Sequence, residues 1–297
     1  MRIGISLSSS LHGDTPAAVA TMMVERARTA YDSGLASLSV GDHHAQRAWY
    51  MQNTATLGRL LAEWPDRAAG CLFLLPLWSP VLVAEQVGTL ASMVDAPFIV
   101  QTGIGGGQTQ FGAFGADLTK RGRVTDESIR VIQALLAGET VESELLGVAP
   151  VSIGLRPIQE VEWWIGGHAP AAVRRAATVG TAWYGGPGLS PAEAQPIVAR
   201  YRGACEEAGS APRVILRRDV LVLTDGDRAR AEAEQLVAKG YRGMSTDQLV
   251  VGDPDDARRR LEELASVGCD DVIIRNMSPD QGIALESIRL LGQLDPI

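Results

Sequence analysis

The stretch DPDDARRRLEELASVGCDDVIIRN, residues 253–276, leads a helix into a strand and shows the unit from which the chain is built. Asp253 is a capping residue type, Pro254 suits a first helical turn, and Asp255 and Asp256 put negative charge where the helix dipole favours it. Ala257, Leu261, Leu264 and Ala265 recur at i, i+4, i+7 and i+8, so the helix has one apolar face. Gly268 stands past its end as a stop signal, and a short β-branched run, 271–275, follows as a strand. A helix of this kind feeding a short apolar strand is half of a crossover connection, which implies parallel strands.

The same unit recurs along the chain. Strands are expected at 2–7, 37–40, 69–74, 98–102, 162–165, 182–184, 214–223 and 271–275, each followed by a stretch that can be helix. The first helix is capped by Asp14 or Thr15, carries Pro16 in its first turn and stops at Gly34. No Pro/Ser-rich linker or low-complexity tract divides the 297 residues. Eight βα units predict an α/β fold, a single (β/α)8 TIM barrel spanning 1–297 as one domain. Two irregular stretches would be short insertions at the C-terminal mouth: 138–159, read as a small hairpin, and 240–252, a polar insert before the helix that opened this reading.

Composition excludes several classes of function. Hydrophobic residues make up 46% and charged residues 21%, enough for a large core and against disorder. With 35 acidic against 27 basic side chains, neither nucleic acid nor an anionic membrane surface is an expected partner. The three cysteines, Cys71, Cys205 and Cys269, show no ligand or disulfide spacing, so no metal is expected and a reducing cytoplasm fits. The start MRIGISLSSS lacks a basic segment followed by an apolar run, and no apolar run reaches the ~18 residues of a membrane span. The expectation is a soluble cytoplasmic protein acting on a small molecule.

Barrel chemistry sits at the C-terminal strand ends, which singles out the residues that follow each strand. VGDHHAQ, 40–46, follows the second strand and holds two of the four histidines, with Trp49 and Tyr50 close behind. Ser6 and Ser8 mark the first strand end, TGIGGGQ the fourth, IGGH the fifth and YGGPG the sixth. Glycines let a backbone approach a ligand and turn its amides toward an anion, although tight βα turns also use glycine for steric reasons alone. For Asp42-His43-His44 the bland alternative is a turn in which Asp42 caps the next helix and the histidines pack or face solvent. Trp163-Trp164 reads as one ring in the barrel and one under a helix.

Four segments, in this order and spacing, resemble the bacterial luciferase-like family of flavin- and deazaflavin-dependent oxidoreductases. They are ARTAYDSGLASLSVGDHH; LFLLPLWSPVLVAEQVGTLASM; FIVQTGIGGG with FGAFG and RGRVTDESIRVIQALLAGETV; and WWIGGHAPAAVRRAATVGTAWY. The resemblance covers nearly the whole chain and implies the same barrel fold. It implies an enzyme that binds the deazaflavin coenzyme F-420, or alternatively FMN, at the mouth, with the phosphate on backbone amides of Ile104, Gly105, Gly106, Gly166 and Gly167. It places Asp42 and His43 at the redox face, His43 as hydrogen-bond donor or acid and Asp42 orienting it or touching the ring edge. It also implies a bulge, often a cis peptide, at Leu72–Phe73 behind the cofactor.

The Asp-His-His form favours hydride transfer between F-420 and a small organic substrate. The alternatives are a monooxygenase using oxygen and reduced FMN from a separate reductase, and a barrel that binds flavin without turnover. A homodimer is the expected assembly. Two features depart from the pattern: Gly106 stands where many deazaflavin relatives carry an acid, and the insert after the seventh strand is short.

Overall fold

The computed structural model describes residues 1–8, 10 and 13–294. Its first half runs β1 (Arg2–Leu7), α1 (Pro16–Asp32), β2 (Ser37–Val40), α2 (Asn53–Leu60), β3 (Ala68–Leu74), α3 (Pro80–Ala91), β4 (Phe98–Gly103), α4 (Gln108–Ala113) and α5 (Arg121–Ala137). After β5 (Val141–Ser143) and β6 (Val148–Val151) come β7 (Val161–Gly166), α6 (Pro170–Val179), β8 (Ala182–Gly185), α7 (Pro191–Ala208), β9 (Val214–Val222) and α8 (Gly226–Ala238). The chain continues through β10 (Val250–Gly252), α9 (Pro254–Ser266), β11 (Asp271–Asn276) and α10 (Gln281–Gly292).

Eight strands pair in parallel in the order β9, β11, β1, β2, β3, β4, β7, β8, and pairing of β8 with β9 closes them into a (β/α)8 barrel. These are the eight strands expected, each within one residue of its expected limits. The 138–159 stretch forms the antiparallel β5–β6 hairpin. In the 240–252 insert, two 3₁₀ turns lead into β10, which adds to β9 outside the closed barrel.

Local chemistry sets the helix starts. Thr15 Oγ1 accepts from the amide of Ala18 at 3.1 Å, with Pro16 in the first turn, and Asp253 and Asp256 satisfy one another's amides in a reciprocal cap. Strand alternation then divides the core in two. Ile99, Trp164, Tyr184, Ile215 and Ile273 fill the barrel, while Trp163, Trp183, Leu216 and Ile274 pack outward under the helices. The Trp163-Trp164 pair is split as expected.

The N-terminal end of the barrel is closed by ion pairs. Arg213 spans Glu162 at 2.7 Å and Asp271 at 2.8 Å, and Arg2 reaches Asp271 at 2.8 Å. A cavity of about 220 Å³ lies among these groups, whose charges pair with one another. No helix among the described residues is long and apolar enough to cross a membrane, and the three cysteines are free and buried.

Candidate active site at the barrel mouth

The opposite end opens into a cavity of about 370 Å³, within the range of small-molecule sites. Its wall takes Ser6 and Ser8 from the end of β1, Gly41, Asp42 and His43 from the end of β2, and Leu72 from β3. Arg217 of β9, Arg242 of the insert and Arg275 of β11 complete it.

The three polar residues after β2 part company. His43 lines the cavity, its ring edge-on to Tyr50 at 5.7 Å, and burial pushes its imidazole below the ordinary value despite the opposing pull of Asp42. The imidazole is therefore neutral at pH 7, with one N–H to donate and one nitrogen to accept. Asp42 makes no hydrogen bond to His43. Its carboxylate is 1% exposed, and Oδ2 accepts from the Leu74 amide and from Trp78 Nε1, each at 2.8 Å. Oδ1 lies 3.0 Å from His44 Nε2, outside hydrogen-bond geometry, and neither atom has another partner among the described residues. His44 thus points away from His43, into a buried pocket against Trp78 and Phe114.

A group of charged side chains that the motifs did not indicate dominates the far wall. Arg217 and Asp219 point inward from β9, with Arg217 Nη2 at 3.3 Å from Asp219 Oδ1. Asp219 is fully buried, and its Oδ2 accepts from the Tyr241 hydroxyl at 2.9 Å and lies 3.5 Å from Arg242 Nε. Arg275 Nη2 donates to the Ser8 hydroxyl at 3.1 Å. Burial works most strongly against the charge on Arg217, but Asp219, Tyr184 and Tyr241 together hold the guanidinium above its ordinary value. Arg242 is lowered, first by burial and then by the like charges of Arg217 and Arg275. Burial also raises the Tyr241 phenol to about 12, with Asp219 adding to the shift. The available signal was RRD inside VILRRDVLV, a charged triplet within a buried strand.

The glycine-rich ends of β4 and β7 are neighbours, since Thr102 pairs with Ile165. Gly105 and Gly107 adopt left-handed backbone, at φ 61° and 87°, which turns the loop sharply into α4. Within the described residues, the amides of Ile104, Gly105, Gly106 and Gly107 make no hydrogen bond. A Cβ on Gly106 would meet nothing within 4 Å, so the loop surface is open there. Gln110 joins this loop to the histidine segment: its Oε1 accepts from the His44 amide at 2.8 Å, and its Nε2 donates to the Gly106 carbonyl at 3.3 Å. Gly166 has a further reason to lack a side chain, because a Cβ would sit 2.5 Å from the Thr102 carbonyl oxygen.

The model of the luciferase-like monooxygenase family matches residues 1–271. The chain belongs to that family. Uncharacterised proteins of Mycobacterium tuberculosis and Mycobacterium bovis are 33% identical over 137 residues, covering 46% of this chain and 47% of theirs; the chain thus spans about half the length of these curated relatives. Similar solved folds include the monooxygenase RslO1 from Streptomyces bottropensis, with TM-score 0.88, 17% identity and 99% and 98% of the two chains covered. An F420-dependent secondary alcohol dehydrogenase holding an F420–acetone adduct gives TM-score 0.81 and 18% identity, with 97% of each chain covered. The oxygenating constituent of 3,6-diketocamphane monooxygenase of Pseudomonas putida, in complex with FMN, gives 0.80 and 16%, with 99% of this chain and 97% of that one covered.

One expectation carried by the family resemblance fails in this luciferase-like barrel. The described residues contain no cis peptide bond, and β3 keeps register with β4 without a break from Ala69 opposite Phe98 to Leu74 opposite Gly103. Regular alternation sends Leu72 into the cavity and Phe73 outward, fully buried beneath the helices and edge-on to Trp78. Phe73 therefore presents no side chain to the mouth. Of the remaining aromatics, Phe111 and Trp183 fill the core, while Trp49 is 46% exposed.

Proposed function

We propose that this luciferase-like protein is an oxidoreductase that moves hydride between the deazaflavin coenzyme F-420 and a small organic substrate in the mouth cavity. The observation that carries it is His43, a half-buried neutral imidazole on the wall of a cavity that three guanidinium groups also line. The residues present fit such a coenzyme. The free amides of Ile104, Gly105 and Gly106, beside Gly166 and Gly167, would hold the coenzyme's phosphate, and Leu72 would offer an apolar rest for a flat ring.

When bound, the ring supplies the hydride chemistry. His43 contributes the N–H of its neutral imidazole, which stabilises negative charge at the ring or passes a proton to the substrate. Asp42 works one step removed, holding the end of β3 through the Leu74 amide and thereby the wall that carries Leu72. Gln110 sets the spacing between cradle and histidine. The family's description as monooxygenases favours the alternative, in which reduced FMN and oxygen use the same residues.

Titration of the purified chain with F-420 and with FMN, followed by each cofactor's own absorbance, tests the choice. F-420 is expected to bind at least about tenfold tighter. Gly106→Asp should weaken both by adding charge and bulk at an open position while leaving thermal stability unchanged. Tighter binding of FMN, or of neither, would falsify the deazaflavin reading; unchanged affinity in Gly106→Asp would remove the cradle assignment.

A further inference from the structure

We infer that Arg217, Arg242 and Arg275 seat an oxyanion of the substrate, a carboxylate or phosphate, so that the reaction takes an acidic organic molecule. This rests on the mouth being the catalytic site and adds the class of substrate.

Charge balance is the first ground. Three guanidiniums face the cavity, and Asp219 contacts two of them, shared among Arg217, Arg242 and the Tyr241 hydroxyl, while Arg275 bonds the Ser8 hydroxyl. Asp42 also borders the cavity, but its carboxylate is 1% exposed and turned to Leu74 and Trp78. The second ground is hydrogen bonding. Arg217 Nε and Arg275 Nε are buried and have no partner among the described residues, a cost that an acceptor in the cavity removes. Guanidinium forks match the paired oxygens of carboxylate and phosphate. Backbone strain is the third ground: Arg242 sits at φ 49°, a left-handed conformation costly for a residue with Cβ, and this turn places its side chain on the cavity wall.

Position separates this seat from the cofactor's cradle. Three strands lie between β11 and β4 whichever way round the barrel they are counted, so Arg275 and the glycine loop stand on opposite walls. His43, after β2, lies between them. A substrate anchored by its anion on the arginine wall would therefore direct its reacting end toward His43 and the cofactor.

The test titrates the cofactor-free chain calorimetrically with inorganic phosphate and, separately, with acetate, and measures F-420 affinity of the same samples by absorbance. At least one anion should bind saturably with Kd of about 1 mM or tighter, as two charge-assisted hydrogen bonds allow. Whichever binds tighter names the oxyanion. Arg275→Met and Arg242→Ala should each weaken it by ~10–100-fold and leave F-420 affinity within about twofold. Arg242, on the insert and 37% exposed, keeps the test valid if Arg275→Met fails to fold.

Absence of saturable binding overturns the seat. So does phosphate binding that survives both arginine variants and disappears in Gly106→Asp, or F-420 affinity that falls in step with the anion's. If neither F-420 nor FMN binds but an anion does, and the arginine variants lose it, the seat stands and the hydride-transfer reading falls.

Discussion

Asp42 stands beside the cavity, yet its bonds point away from it, and substitution separates a positioning role from a chemical one. In Asp42→Ala, the buried Leu74 amide and the partly buried Trp78 indole N–H lose their shared acceptor. Each abandoned donor costs ~1–3 kcal/mol, so the loss should be about 2–6 kcal/mol, against a total stability of about 5–15 kcal/mol. Asp42→Asn should behave differently. Both donors go to Oδ2, so an amide oxygen in that place keeps both bonds, while its NH2 takes the place of Oδ1 and faces His44 Nε2 at 3.0 Å. The expected loss is below about 1 kcal/mol, the difference between a charged and a neutral acceptor. Urea unfolding read by tryptophan fluorescence and far-UV circular dichroism measures both, provided the two probes coincide. Turnover of Asp42→Asn should stay within about tenfold of wild type, because the carboxylate charge is not presented to the cavity. An Asp42→Ala protein within about 0.5 kcal/mol of wild type would refute the tie to β3. A stable Asp42→Asn protein with turnover lost by ~10³-fold or more would restore Asp42 to the chemistry.

Two further outcomes follow from the same wall. His43→Ala should fold normally and lose ~10²–10⁴ in turnover; because burial lowers the imidazole's pKa, wild-type turnover should fall off only below pH 6.5, in a limb that the variant lacks. His44→Ala should lose stability instead, since that ring is buried between Trp78 and Phe114, and a reversed pattern in kinetics and thermal melts would exchange the two roles. On β3, Phe73→Ala should cost about 3–5 kcal/mol with little change in F-420 affinity, whereas Leu72→Ala should cost less and weaken that affinity; equal effects would contradict the alternation seen along the strand.

The barrel was legible because its signals are local. Thr15 with Pro16, or Asp253 with Asp256, starts a helix through bonds spanning three residues, and short β-branched runs between such helices admit few arrangements besides a closed parallel sheet. The glycine loops were legible for the same reason, since a left-handed turn at Gly105 or Gly107 is a property of the residue itself. The roles within Asp42-His43-His44 were not. Beyond Val40 the strand's two-residue period ends, and what holds Asp42 is an amide and an indole 32 and 36 residues away, contacts that no spacing rule encodes. The Leu72–Phe73 expectation failed because it came from the family rather than from residues of this chain: nothing in AAGCLFL interrupts regular pairing with β4.

The arginine wall falls between these cases. A strand packed on both faces has no place for three consecutive charges unless one face opens onto solvent or a site, and period-two alternation must send Arg217 and Asp219 to one side and Arg218 to the other. In this barrel the inward pair stands midway along the strand, on the mouth side of the inward Ile215, so RRD in VILRRDVLV already contains half of the cavity's charge. Arg218 confirms the split: it is buried on the outer side, its Nη2 donates to the Leu189 carbonyl at 2.7 Å, and burial lowers its pKa to about 10. Arg242 could not be read in the same way. Its approach depends on a left-handed turn at a residue with no glycine-like preference for one, inside a polar insert without periodicity. The strained turn becomes intelligible only beside Arg217, Arg275 and the unpartnered Nε atoms, where a third guanidinium raises the local positive potential that an acidic substrate would neutralise.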